Sequence, residues 1–81
     1  MVQVVLWGSL KRAAQGKSQV EVEAADLKQL LTRLGEAYPE LKPQIERGVS
    51  VSIDGLIYTN NWFQPIRPGA EVVLLPKLAG G

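Results

Sequence analysis

Glu71-Val72-Val73-Leu74-Leu75-Pro76-Lys77-Leu78-Ala79-Gly80-Gly81 closes the sequence, and its two halves ask for different things. After Glu71 the first half is apolar at odd and even positions alike. A strand of that kind has no wet face, so it is expected deep in a sheet. Pro76 has no N–H to donate and ends the strand. The second half reads as a tail carrying a terminal carboxylate on Gly80-Gly81. Glycine has no Cβ, so such an end can thread a channel too narrow for any side chain. A carboxylate on that tail can be delivered into another protein's active site. Chain ends also fray for no functional reason, and a bare Gly-Gly by itself fits that reading too.

Working outward from this strand, Val2-Gln3-Val4-Val5-Leu6-Trp7 is β-branched and aromatic and predicts a well-buried first strand, ended by Gly8-Ser9. A loop from Leu10 to Lys17 leads to Ser18-Gln19-Val20-Glu21-Val22-Glu23, whose alternation predicts a second strand with one wet face, paired to the first as a hairpin. Asp26 then reads as a helix N-cap with Gln29 three residues on, a capping-box-like pair. It precedes the stripe Leu27, Leu30, Leu31, Leu34 and Ala37 or Tyr38, the spacing of one buried helix face. Gly35 weakens this helix locally, and Pro39 stops it because the residue before a proline resists the helical region. Glu40 to Arg47 is consistent with a short helical turn closed by Gly48. Val49-Ser50-Val51-Ser52-Ile53, the turn Asp54-Gly55 and Leu56-Ile57-Tyr58 read as strand, turn and short return strand. Thr59-Asn60-Asn61 is a polar loop that Trp62-Phe63 is expected to anchor, and Arg67-Pro68-Gly69 has Pro and Gly where a type II turn prefers them. A hairpin, a helical crossover and further strands make an α+β arrangement with a mixed sheet covered on one face by one main helix. If the first and last strands are neighbours in its middle, the tail leaves from the stiff centre of the domain.

Composition narrows the chemistry. The 81 residues include no Cys and no His, so the thiol nucleophile, the imidazole base and the N/S ligands of a zinc site are all missing. A self-contained active site is not expected, nor a bound metal. Nine Lys plus Arg stand against eight Asp plus Glu, spread without a cluster, which disfavours nucleic acid and anionic membrane as partners. The chain shows no signal-peptide pattern and no apolar run near the roughly 18 residues of a membrane span. A soluble, cytoplasmic protein is expected. With 46% hydrophobic residues, one small domain can form its core without staples.

The strand order, the Asp54-Gly55 turn, the Pro68-Gly69 turn before the last strand and the ending from Glu71 to Gly81 together resemble the MoaD/ThiS sulfur carriers, which have the ubiquitin-like β-grasp fold. The layout is similar along the whole chain; the motifs are specific only from about Arg67 onward. The resemblance implies a β-grasp domain over residues 1–75 and a flexible Gly-Gly tail over 76–81. It implies that the Gly81 carboxylate is adenylated by an E1-like activating enzyme using ATP and magnesium, cofactors that this chain itself does not bind. Sulfur from a donor then converts the adenylate into a thiocarboxylate. An acceptor enzyme, such as the large subunit of molybdopterin synthase, receives that sulfur. Gly80 gives clearance beside the reacting carbon, while Ala79 and Leu78 keep the tail slim and apolar. Terminal-carboxylate capture is an established recognition mode.

Many molybdopterin synthase small subunits carry Pro-Pro where this chain has Pro76-Lys77, a departure that bears on the acceptor rather than on the carrier chemistry. Length leans toward the molybdopterin type over the shorter thiamine carriers. A carrier for thiamine or another sulfur metabolite, a ubiquitin-like protein modifier and a non-catalytic β-grasp binding module are the alternatives. In the family an apolar residue just before the tail meets the partner, which here singles out Leu75, with Pro76 beside it. Of the two parities in the last strand, Val72 with Leu74 and Val73 with Leu75, one is expected to face the helix and the other the partner. Trp7, Trp62 and Phe63 fit two readings, interface anchors or, more often in so small a domain, core or loop packing; Arg67 and Lys77 are either contacts for an acidic partner surface or, as the default, solvated charges.

Overall fold

The hairpin at the start of the chain forms as the alternation of its valines implies. In the computed structural model, which describes residues 1–59 and 61–76, β1 (Val2–Leu6) pairs antiparallel with β2 (Gln19–Val22), Val4 lying opposite Val20. Between them the structure corrects the expected loop: Ser9–Ala13 is a short helix, α1. Leu10, Ala13 and Ala14 are buried beneath it, at the i, i+3, i+4 spacing of a helix face. Its end is closed by a 3.0 Å bond from the Gly16 N–H to the Lys11 carbonyl, with Gln15 and Gly16 at φ 63° and 82°.

Asp26 caps α2 (Leu27–Ala37), its Oδ1 accepting from the Gln29 N–H at 2.8 Å. The Gln29 side chain reaches back one residue further than in the usual box, its Oε1 accepting from the Ala25 N–H at 2.9 Å. All four leucines of the stripe are buried; of its expected last members Tyr38 is half-buried against the core and Ala37 is exposed. Gly35 has a packing reason, since a Cβ there would lie 2.9 Å from Cγ of Lys42, whose stem crosses it from α3 (Leu41–Arg47). Pro43 lies in the first turn of α3, where its missing N–H costs nothing.

After Gly48, β3 (Val49–Ile53) turns through Asp54-Gly55 into β4 (Leu56–Tyr58). Both turn residues have positive φ, 50° and 90°, the signature of a type I′ hairpin. The Arg67-Pro68-Gly69 turn also forms, with Gly69 at φ 80° and the Ala70 N–H bonded to the Arg67 carbonyl at 3.1 Å, as type II requires. It leads into β5 (Glu71–Pro76), which is the middle strand of a sheet ordered β2-β1-β5-β3-β4. β5 runs parallel to β1 and antiparallel to β3. One face of this mixed sheet is covered: Val4, Leu6, Val51, Val72 and Leu74 meet the leucines of α2 together with Leu10 and Leu41 in a single core. Among the described residues, no helix is long and apolar enough to cross a membrane.

Candidate functional site: the open sheet face and the end of β5

The parity question in β5 has a definite answer. Val72 and Leu74 are fully buried under the helices, whereas Val73 and Leu75 are half-buried and point to the uncovered face. The register sets out what surrounds them. Val5, Val73, Ser52 and Ile57 form one row across four strands, and Leu75 lies opposite Ser50 in the next. Serines on β3 keep the face low, so the valine, isoleucine and leucine side chains stand clear of it. Ile57 is 60% exposed. Trp7 continues the Gln3, Val5 parity one residue past β1, donates its backbone N–H to the Leu74 carbonyl at 3.2 Å, and is 56% exposed. The opposite end of the same face is polar, with Glu21, Gln3 and Glu71 in a row. The open face therefore grades from acidic at the start of β5 to apolar where β5 ends.

Pro76 occupies that end. It pairs with Val49 across β3, and its ring packs toward Gly8 at the corner between β1 and α1. The two site residues expected in the described chain, Leu75 and Pro76, thus lie together at the last step of the central strand. Lys77, Leu78, Ala79, Gly80 and Gly81 lie outside the described residues.

The aromatic expectation is corrected. Besides Trp7, Phe63 is 77% exposed and Trp62 39%, so neither anchors its loop as core. Backbone and Ile66 do so instead. The carbonyls of Trp62 and Gln64 accept from the Lys28 and Leu27 N–H groups at 2.8 and 3.0 Å, satisfying open donors in the first turn of α2. Ile66 is buried and donates its N–H to the Ala25 carbonyl. Trp62 instead walls a groove of about 270 Å³ with Leu31, Gly35 and Ile45, on the helical side.

Arg67 is solvated as expected, its side chain 72% exposed, and its Nε also lies 3.1 Å from Oδ2 of Asp54. Oδ1 of the same carboxylate accepts from the Glu71 N–H at 3.0 Å, and the Asp54 N–H donates to the Glu71 carbonyl at 2.9 Å. Asp54 therefore clips the β3–β4 turn to the first residue of β5. The Glu71 N–H above all holds its carboxyl below the ordinary aspartate value; loss of solvent opposes this, and the Arg67 guanidinium adds to the lowering.

The ThiS family profile matches residues 4–81, nearly the whole chain and including the Gly-Gly end. The chain belongs to the ThiS family. No curated protein matches it. Among solved structures, this ThiS-family chain is similar to the Amycolatopsis orientalis BexX/CysO complex at 18% identity and TM-score 0.81, over 100% of both chains. SAMP1 from Haloferax volcanii matches at 23% identity and TM-score 0.78, over 99% of this chain and 98% of that one. The complex of subunits 1 and 2 of molybdopterin-converting factor from Helicobacter pylori 26695 matches at 24% identity and TM-score 0.69, over 99% and 97%. These likenesses establish the ubiquitin-like β-grasp fold that the ThiS/MoaD sulfur carriers share.

Proposed function

We propose that the chain is a sulfur carrier whose working group is the Gly81 carboxylate. The observation that supports this best is the ThiS-family match, which runs through Gly81, on a fold whose central strand ends at Pro76, three residues before Ala79. A carboxylate is a poor acyl donor. Attack of its oxygen on the α-phosphorus of ATP, in the site of an activating enzyme that supplies the magnesium, forms an acyl-adenylate and releases pyrophosphate. A sulfide equivalent from a donor then attacks the acyl carbon, AMP leaves, and a thiocarboxylate remains. The chain contributes no acid, base or metal ligand to these steps. It presents the terminus and docks.

Docking falls to the apolar end of the open face. Val73 and Leu75 leave a stiff strand on the same side as Trp7, beside the point where the tail departs, so a partner seated there has the terminus within reach. That two neighbours of this fold were solved in complexes with other proteins is in keeping with a carrier that works through partners. We read the acceptor as the large subunit of molybdopterin synthase, in molybdenum cofactor synthesis, with residues 1–75 as the platform, 76–81 as the delivering tail and the cytoplasm as the compartment. ATP–pyrophosphate exchange by the host's activating enzyme tests this. Exchange that requires the chain and disappears on deletion of Gly81 supports the carrier. A chain that stimulates no exchange with any such enzyme of its host overturns it.

A further inference from the structure

β4 forms one outer edge of the sheet and β2 the other, and the two are finished differently. β2 carries Glu21, has Lys17 and Glu23 beside it and is packed by α2. Charge and cover of that kind keep an edge from pairing with another chain. Leu56-Ile57-Tyr58 in β4 has neither charge nor proline, and Asp54, the nearest charge before it, is already paired with Arg67. Leu56 lies opposite the buried Ile53, on the helical side of the sheet, yet is 63% exposed, so the helical cover stops short of this edge. Ile57, on the open side, is exposed to a similar degree. The turn also fixes which backbone groups face outward. In a two-residue hairpin the pair flanking the turn is hydrogen-bonded and the next pair is not. Ile53 with Leu56 and Val51 with Tyr58 are therefore the bonded pairs, and Ile57, opposite Ser52, turns its N–H and its carbonyl to the outside. Among the described residues, no loop or turn returns to take them up.

We propose that β4 is a self-association site, pairing antiparallel with β4 of a second copy of the chain about a two-fold axis at Ile57. A two-fold interface must be self-complementary. This one is, because the outward-facing residue is the middle one of three: each Ile57 N–H donates to the other Ile57 carbonyl, and each Leu56 comes opposite a Tyr58, an aliphatic–aromatic pair. Opposite residues in antiparallel strands point to the same face, so both Ile57 side chains meet on the open side, and the two five-stranded sheets run on as one. An edge of three residues covers far less than the roughly 1,200 Å² of a stable interface, so the pairing is weak and follows concentration. Val73 and Leu75 lie two strands in from the seam and stay open in the pair. Nothing in this pairing depends on the chemistry of Gly81.

Light scattering of the full-length chain from micromolar to millimolar concentration tests the proposal, together with NMR of a mixture of labelled and unlabelled copies. The mass should climb towards twice that of the monomer, and the Ile57 N–H should become protected from solvent exchange in step. A contact between Leu56 Hα of one copy and Tyr58 Hα of the other should appear, because pairs without hydrogen bonds bring the two backbones closest. Ile57→Pro removes the outward N–H without touching the bonds to β3, and Leu56→Lys places a charge on the edge; each should weaken association about tenfold or more. If Ile57→Pro fails to fold, Leu56→Lys still decides. Leu75→Glu, on the open face but off the edge, should associate as the unaltered chain does. A monomer at every concentration would overturn the proposal. So would a dimer that survives the edge variants; its loss in Leu75→Glu instead would mean that the copies stack by their open faces. Protection of the Ile57 N–H that appears only when an activating enzyme is added would give the edge to a strand of that enzyme, and would overturn the proposal too.

Discussion

Asp54 shows how a single exposed residue can serve the centre of the sheet. At φ 50° it makes half of a type I′ turn, and its carboxylate accepts from the first backbone N–H of β5 while meeting Arg67. Because its folded carboxyl sits below the ordinary aspartate value, the unfolded chain binds that proton more readily, and the clip's stabilisation is present above the unfolded pKa. It is lost as pH falls through the depressed folded pKa, in the acid range. Asp54→Asn keeps a residue that tolerates positive φ and removes the charge. Its urea midpoint should lie below that of the unaltered chain at neutral pH, with the gap closing in acid; a gap that stays constant with pH would assign the loss to something other than the carboxylate.

Elements show which interactions carry the fold. Leu34 is fully buried at the middle of the α2 stripe, so Leu34→Ala is expected to cost about 2–5 kcal/mol in denaturant unfolding. A loss below about 1 kcal/mol would mean that the stripe is not core. Asp26→Ala removes the acceptor for the Gln29 N–H and should cost about 0.5–2 kcal/mol, since the helix start is left one donor short. Both effects were legible in the chain because a leucine stripe behind a capping residue is a strong local pattern. The Asp54-Gly55 and Pro68-Gly69 turns were legible for the same reason: each demands residue types that the sequence supplies. α1 was not, since its buried face is Leu10, Ala13 and Ala14, and two alanines carry little hydropathy. Nor was the fate of Trp62 and Phe63. Their size argues for burial, but Ile66 and backbone bonds to α2 had already closed that loop, a tertiary arrangement that no local pattern announces. In the site, the apolar run in β5 was legible, and so was Leu75 as a candidate. Which parity faced outward, and that Gly8 meets Pro76, depended on the parallel pairing of strands some seventy positions apart.

The whole molecule divides its labour between a covered face that holds the fold and an open face that grades toward the end of β5. Leu75→Glu puts a charge on the half-exposed face and should leave unfolding stability within about 1 kcal/mol. It should raise KM for the activating enzyme about tenfold or more, a fully desolvated apolar contact at an interface core being worth over about 1.4 kcal/mol. An unchanged KM would move the docking surface away from Leu75. The central claim is that the body is a platform and Gly81 the group on which chemistry happens. Intact mass of the chain, after incubation with its activating enzyme, ATP, magnesium and a sulfur donor, tests this most directly. The account predicts a gain equal to replacement of one terminal oxygen by sulfur, absent when Gly81 is deleted from an otherwise equally stable protein. An unchanged mass with an enzyme shown to be competent on its own substrate would contradict it.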